Sequence, residues 1–517
     1  MSAAKSKQAT KSTKSTPKKA VIIGAGPGGL AAGMLLSAQQ YEVHVYEKQP
    51  FLGGRTSRME LGEYAFDLGP TFLMMPHLLE ELFTLAGRQL EDYVKWLPLD
   101  PLYTLKFGEM SFSPTLDREE MVDLIEDLFP GNGKGYLSFM KNEGKKYDRV
   151  EKLLQQPFTS ITDYVNLNVF KALPRLHAWD TVYQRLSSYF SDERLIHAFT
   201  FQAKYLGMSP WECPGTFTIL SYLEHRYGLM HPIGGVNQIC KAMASVIEEN
   251  GGTVHLAEGV KQVKVTNGKA TGLILESGEE TEADHVVINA DFGTAMTQLF
   301  APGVIRKYTP EKLEQKKWSC STFMLYLGVN REIEMNHHTI LFSSDYKKNV
   351  DEIVRTQTLS DDPSIYVHNP SRLDPTLAPK GKSSLYVLMP CPNLDGNIDW
   401  EQQKEAVREQ VLNRLEQEPE LRNLRQDIEV EKMLTPLDWQ QDIFVYKGAT
   451  FNMAHTLDQM MYLRPRNQFE EVENCWLVGG GTHPGSGLPT IMESAKISTD
   501  LIQKQDQRKS RFLGVSG

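Results

Sequence analysis

Residues 20–24 form a short apolar run with no polar alternation. That is the pattern of a strand covered on both faces. The run leads straight into Gly24-Ala25-Gly26-Pro27-Gly28-Gly29, and the apolar residues 30–36 that follow are spaced as a helix. Residues 41–46 read as a second strand, ending at Glu47. Further along, Ile233-Gly234-Gly235-Val236 precedes a helical stretch to Glu249, and residues 251–256, 260–265 and 283–291 read as strands. Residues 476–478 look like a last buried strand, and a helix is expected from Thr490, with Thr490 as its N-cap. Between these lie two other stretches. The first, from 96 to 231, is largely helical, with Ser191-Asp192-Glu193 capping a helix that carries Leu195, Ile196 and Phe199. The second, from 301 to 467, holds strand-like runs at 323–327 and 365–367.

The opening pattern has chemical meaning. Strand, GxGxxG, helix, strand and acid follow one another within about thirty residues, the order of a dinucleotide-binding unit. Gly24 permits the tight turn, Gly26 lets the backbone approach a pyrophosphate, and Gly29 lets the helix pack closely on the strand. The helix N-terminus offers N–H groups and a positive dipole end to phosphate. Glu47 stands eighteen residues after Gly29, placed to accept hydrogen bonds from a ribose. An acid at a strand end is often merely solvated, but a glycine-rich turn alone does not account for Glu47.

A second glycine pair, Gly53-Gly54-Arg55, follows, then Phe66-Asp67-Leu68-Gly69-Pro70-Thr71. Near the other end stands Cys-Trp-Leu-Val-Gly-Gly-Gly-Thr-His-Pro-Gly-Ser-Gly-Leu-Pro, residues 475–489. The doublet resembles that of FAD enzymes of the amine oxidase and carotenoid desaturase superfamily. The closing segment resembles the C-terminal signature of bacterial phytoene desaturases. Residues 66–76, 362–367 and 385–390 are similar to the branch acting on thirty-carbon chains, the diapophytoene desaturases. The resemblance covers nearly the whole chain after the first residues.

It implies an α/β fold: a Rossmann-type FAD-binding domain, amine oxidase and phytoene desaturase-like, with an inserted mixed α+β substrate domain. The FAD-binding domain would comprise 18–95, 232–300 and 468–505. The substrate domain, facing a membrane, would comprise 96–231 and 301–467. Motif and resemblance together assign FAD contacts to Gly24, Gly26, Gly28, Gly29, Glu47, Lys48, Gly54, Arg55, Gly69, Pro70, Thr71, Val260, Val263, Gly480, Leu488, Pro489, Thr490 and Ile491. A surface salt bridge is the alternative for Arg55. Asp67 is expected to orient neighbouring backbone. His483 is the one catalytic candidate, against the alternative that Thr-His-Pro shapes the loop. The reaction implied is hydride transfer from a linear C30 or C40 polyene to the flavin, giving conjugated double bonds, with quinone or oxygen as electron acceptor. A carotenoid oxygenase forming aldehydes, or an isomerase, is the alternative on the same scaffold. A lipid-escort protein without flavin is a further one, against which the intact glycine set argues.

Composition narrows the partners. The net charge of −10 argues against nucleic acid. Residues 1–19 hold six Lys and no acid, and the first seventeen are expected to form a disordered basic tail. Cys213, Cys240, Cys320, Cys391 and Cys475 fit no metal spacing, and such a sparse set suits reduced thiols in a cytoplasmic protein. His337 and His338, adjacent in sequence, point apart and make no metal site. No apolar run reaches the length of a membrane span. Val169, Phe170, Leu173, Leu176 and Trp179, interleaved with Lys171 and Arg175, suggest instead an interfacial helix for peripheral attachment, interrupted at Pro174. Core packing is the rival explanation for those apolar residues.

Overall fold

A computed structural model describes residues 17–155 and 176–514. The basic tail, and Val169, Phe170 and Leu173 of the suggested interfacial helix, therefore lie outside the described residues.

The centre is a five-stranded, wholly parallel sheet. Its order is Thr253–His255, Glu42–Tyr46, Lys19–Ile23, His285–Ile288 and Cys475–Leu477. A parallel strand in the middle of such a sheet is covered on both faces, which explains the unbroken apolar run at residues 20–23, all buried. Pro27–Ala38, Asn237–Glu249 and the long Leu488–Gly514 helix cover the face that carries Ala20, Ile22, Val43 and Val45. The opposite face, with Val21, Ile23, Val286 and Ile288, is covered by an antiparallel sheet of Val260–Thr266, Lys269–Leu275 and Glu280–Glu282. The Rossmann-type core that the resemblance implied is therefore present.

The second body is a seven-stranded mixed sheet. Its order is Ile428–Leu434, Ser321–Val329, Ser383–Cys391, Ile365–His368, His338–Leu341, Thr104–Phe107 and Met110–Phe112. Only the pair His338–Leu341 with Thr104–Phe107 is parallel. Ser321–Val329 is buried along its whole length, as a central strand must be. Helices Arg118–Leu128, Gly133–Leu154, Val182–Ser187, Glu193–Thr200 and Ile219–Tyr227 pack beside it around Phe129, Tyr136, Phe139, Phe190 and Phe199. Asp192 caps the Glu193–Thr200 helix, its carboxylate accepting from Arg194 N at 2.9 Å.

The two bodies are tied through Phe66-Asp67-Leu68-Gly69. Tyr326 Oη donates to Leu68 O at 2.6 Å and Tyr386 Oη to Gly69 O at 2.9 Å. Both tyrosines lie in the larger sheet, so that sheet fixes where this segment crosses the site.

Candidate active site

In an open parallel sheet, ligands bind beyond the carboxyl ends of the strands. Three loops meet there: residues 24–28, 289–291 and 478–481. Gly24 N donates to Tyr46 O at 2.8 Å, Asn289 N to Ile23 O at 2.9 Å, and Val478 N to Ile288 O at 3.0 Å. Asn289 sits between all three. Its Nδ2 donates to Gly24 O at 3.2 Å, and a Cβ on Gly28 would stand 2.6 Å from its Oδ1. A Cβ on Gly29 would stand 2.2 Å from Gly24 O. These glycines are thus demanded by close backbone approach. The helix from Pro27 begins at Gly26, which has no side chain to cap it, so its first amides face an open cradle.

The second glycine pair folds back on the first: Gly53 N donates to Ala25 O at 2.9 Å. Glu47 accepts from Ala25 N at 2.8 Å and from Gln49 N at 2.9 Å, and burial pushes its carboxyl up from the ordinary value. Each carboxylate oxygen accepts more than one hydrogen bond, so these contacts leave it capable of holding a ribose hydroxyl.

Arg55 forms an ion pair with Asp291, and its Nη1 donates to Asn452 Oδ1 at 2.8 Å. Asn452 donates in turn to Ser486 Oγ at 2.9 Å. The Asp291 side chain and Asn452 are buried, so this is no surface salt bridge but a clamp joining the doublet to the closing loop. Behind that loop lies Arg464, wholly buried, whose Nη2 donates to Gly480 O at 2.7 Å and Nε to Thr482 O at 3.1 Å. Burial lowers its pKa to about 10, which leaves it cationic at neutral pH.

A single cavity of about 660 Å³ begins at these loops and ends among Phe201, Lys204, Tyr205, Ile340, Phe342 and Leu388. The glycine cradle and the larger sheet share it. Of the residues singled out from sequence, Gly24, Gly26, Gly28, Glu47, Lys48, Gly54, Arg55, Gly69, Pro70, Thr71, Val260, Gly480, Leu488, Pro489 and Ile491 line it. Gly29, Val263, Thr490 and His483 do not. Gly29 packs on the turn instead. Val263 is buried between the two sheets of the core.

Thr490 is not the N-cap. The helix starts at Leu488, with Pro489 in its first turn, and Ile491 N donates to Gly487 O at 2.9 Å. Pro489 lacks an N–H that this turn would leave unused, and Gly487 at φ +109° makes the entry turn that a residue with Cβ resists. The Thr490 hydroxyl points back at the carbonyls of Gly485, Ser486 and Gly487. His483 is buried away from the cavity. Its carbonyl accepts from Asn467 Nδ2 at 3.0 Å, and its N donates to Pro465 O at 3.1 Å, so its place is in the loop's framework.

The rings of His337 and His338 stand edge to face, and among the described residues no cluster of His, Cys, Asp or Glu could hold a metal ion. Asp67 does orient backbone: its Oδ1 accepts from Val236 N at 2.7 Å. Burial raises its pKa to about 6. Between the ordinary carboxylate value and that one, the folded protein holds a proton that the unfolded chain does not. Stability from this group is therefore present at low pH and lost as pH rises through about 6. Asp67→Asn should gain on the wild type between pH 4 and pH 7, as urea denaturation at each pH would show. A constant difference would refute the assignment.

Residues 27–502 match the model of the flavin containing amine oxidoreductases. The chain belongs to that family. It is 48% identical over 96% of its length to a 4,4'-diapophytoene desaturase (4,4'-diapolycopene-forming) of Methylomonas sp, 97% of which is covered. It is 36% identical over 94% of its length to an all-trans-zeta-carotene desaturase of Myxococcus xanthus, 93% of which is covered. Among solved structures, an oxidoreductase from Methanosarcina mazei matches with TM-score 0.62 at 18% identity, covering 92% of this chain and 99% of its own. A putrescine oxidase matches with TM-score 0.61 at 14% identity, covering 94% and 99%. Those two likenesses speak for the fold. This flavin-containing amine oxidoreductase family member is an FAD-dependent oxidoreductase.

Proposed function

We propose that the protein desaturates a linear carotenoid precursor, the thirty-carbon 4,4'-diapophytoene, in successive steps. The observation that carries this is the 48% identity, across both bodies of the fold, to a desaturase of that substrate. The cavity supports it. A hydrocarbon offers no polar handle, so its binding must come from buried apolar surface. The end bounded by Phe201, Ile340, Phe342 and Leu388 supplies that surface, continuous with the glycine cradle.

FAD fits the other end. Glu47 and Val260 would hold the adenosine, and Gly24, Gly26 and Gly28 with the uncapped helix would hold the pyrophosphate. Arg55 and Gly54 would border the ribityl chain. Gly69, Pro70, Thr71, Gly480, Leu488, Pro489 and Ile491 would frame the ring. The bound flavin supplies the hydride acceptor. The N-terminus of the Leu488–Gly514 helix directs its dipole into the same cavity, where it favours negative charge. The chain's own task is to place one saturated carbon against that acceptor and to keep water away. Residues 18–95, 232–300 and 468–505 would form the flavin-binding domain and 96–231 with 301–467 the substrate domain.

A precursor of this kind dissolves in lipid, so the protein would work at a membrane surface, with quinone or oxygen as final acceptor. Among the described residues no helix is long and apolar enough to cross a membrane. Trp179, 81% exposed, supports attachment near residue 179. Trp179→Asp should reduce co-sedimentation with phospholipid vesicles several-fold; unchanged binding would move the contact elsewhere.

The test of function is expression in cells accumulating diapophytoene and, separately, in cells accumulating phytoene. Mass spectrometry should show hydrogen pairs lost and colour gained in the thirty-carbon strain. No change in either strain refutes the proposal, and a gain of oxygen assigns the oxygenase branch.

A further inference from the structure

Making a double bond removes a hydride from one carbon and a proton from its neighbour. The proton needs an acceptor in a cavity built mostly of carbon. A short chain of polar groups runs from the cavity wall at Thr71 into the protein. Thr71 Oγ1 lies 2.7 Å from Tyr366 Oη, and Tyr366 Oη lies 2.5 Å from His338 Nδ1. Thr71 and Tyr366 line the cavity, while His338 is buried behind them. The His338 ring stacks on Tyr366 at 5.8 Å and 11°, and on His368 at 4.5 Å and 7°. The imidazole is thus held in line with the phenol.

We propose that Tyr366 is the catalytic residue that receives the substrate proton, and that His338 positions it and takes up its phenolic proton in the same step. This rests on the desaturase reading above. The electron pair of the broken C–H bond becomes the new π bond. The proton binds Tyr366 Oη, the phenolic proton moves to His338 Nδ1, and the hydride carries two electrons to the flavin. Once hydride departs, the neighbouring C–H is strongly acidic, so a neutral phenol backed by an imidazole suffices. Burial, with His368, His337 and His231 nearby, holds His338 well below the ordinary imidazole range. It is therefore neutral before the step, so that Nδ1 can take the phenolic proton. Burial likewise raises the Tyr366 phenol, which keeps it protonated and able to relay.

Tyr366→Phe keeps the ring and removes the oxygen, and His338→Gln tests the second link. With flavin content matched to wild type, anaerobic single-turnover flavin reduction by diapophytoene in vesicles should slow at least about 100-fold in Tyr366→Phe. It should slow at least about 10-fold in His338→Gln. The wild-type rate should fall in deuterated water, because the phenolic proton exchanges with solvent, and that dependence should vanish in both variants. In flavin-free protein labelled with ¹⁵N-histidine, the signal lost in His338→Gln should move in Tyr366→Phe. Wild-type rates with an unchanged solvent isotope effect and an unmoved signal would overturn the pair while leaving desaturation standing. A wild-type protein that oxidises no linear polyene overturns both.

Discussion

Gly29→Val should yield a protein that no longer holds FAD. The Cβ alone would stand 2.2 Å from Gly24 O and about 3 Å from Asn289. Gly24 O is backbone, so no side chain can swing aside. The helix from Pro27 must instead lift off the Lys19–Ile23 strand, and the turn that cradles phosphate lifts with it. Overpacking of this kind costs about 3 kcal/mol or more. Falling on the cradle, that cost weakens cofactor binding about 100-fold. Flavin fluorescence released after gel filtration would measure it. A variant that elutes with full flavin would show that the helix–strand contact does not govern the cradle.

Arg464→Met should be nearly as damaging, although Arg464 does not itself line the cavity. Its guanidinium serves Gly480 O, Thr482 O and Met453 O at once, and no acidic side chain among the described residues pairs with it. Methionine fills the volume but leaves the carbonyls of Thr482 and Met453 unpartnered, each costing about 1–3 kcal/mol, and leaves Gly480 O only its 3.4 Å bond from Ser486 Oγ. The loss concentrates in the closing glycine loop, which should loosen around Gly480. Lower thermal stability and weaker flavin retention are expected together. Arg464→Lys should recover only part, since an ammonium cannot reproduce the planar fork. If stability falls while flavin affinity is unchanged, the loop is not the element that Arg464 supports.

The contrast between these two residues shows what sequence could reveal. Gly24, Gly26, Gly29 and Glu47 act over short chain distances, where turn geometry restricts residue choice, so their spacing is readable. The unbroken apolar run at 20–23 is readable for the same reason, since burial on both faces leaves no polar position. Arg464, Asn289, Asn452, Tyr366 and His338 are ordinary polar residues in their local sequence. Their meaning comes from partners far away: Tyr366 meets Thr71 across 295 residues, and Arg55 meets Asn452 across 397. Thr490 misled because Thr before a helix usually caps it. The better signal was Pro489, which prefers a first turn and places the start one step earlier. Asp67 was legible as a backbone-orienting acid, but its partner Val236 was not. Function needed more than the cradle, since a dinucleotide loop serves many chemistries. The closing segment and the full-length identity to a desaturase narrowed it.

Oxidation of a linear thirty-carbon polyene at this flavin site, the activity proposed, is open to direct measurement. The direct measurement mixes purified, FAD-loaded protein with diapophytoene-bearing vesicles under anaerobic conditions, following the flavin spectrum and the mass of the extracted polyene. The oxidised flavin should bleach, matched by a product two hydrogens lighter in equal amount. A flavin that stays oxidised beside unchanged diapophytoene would contradict it.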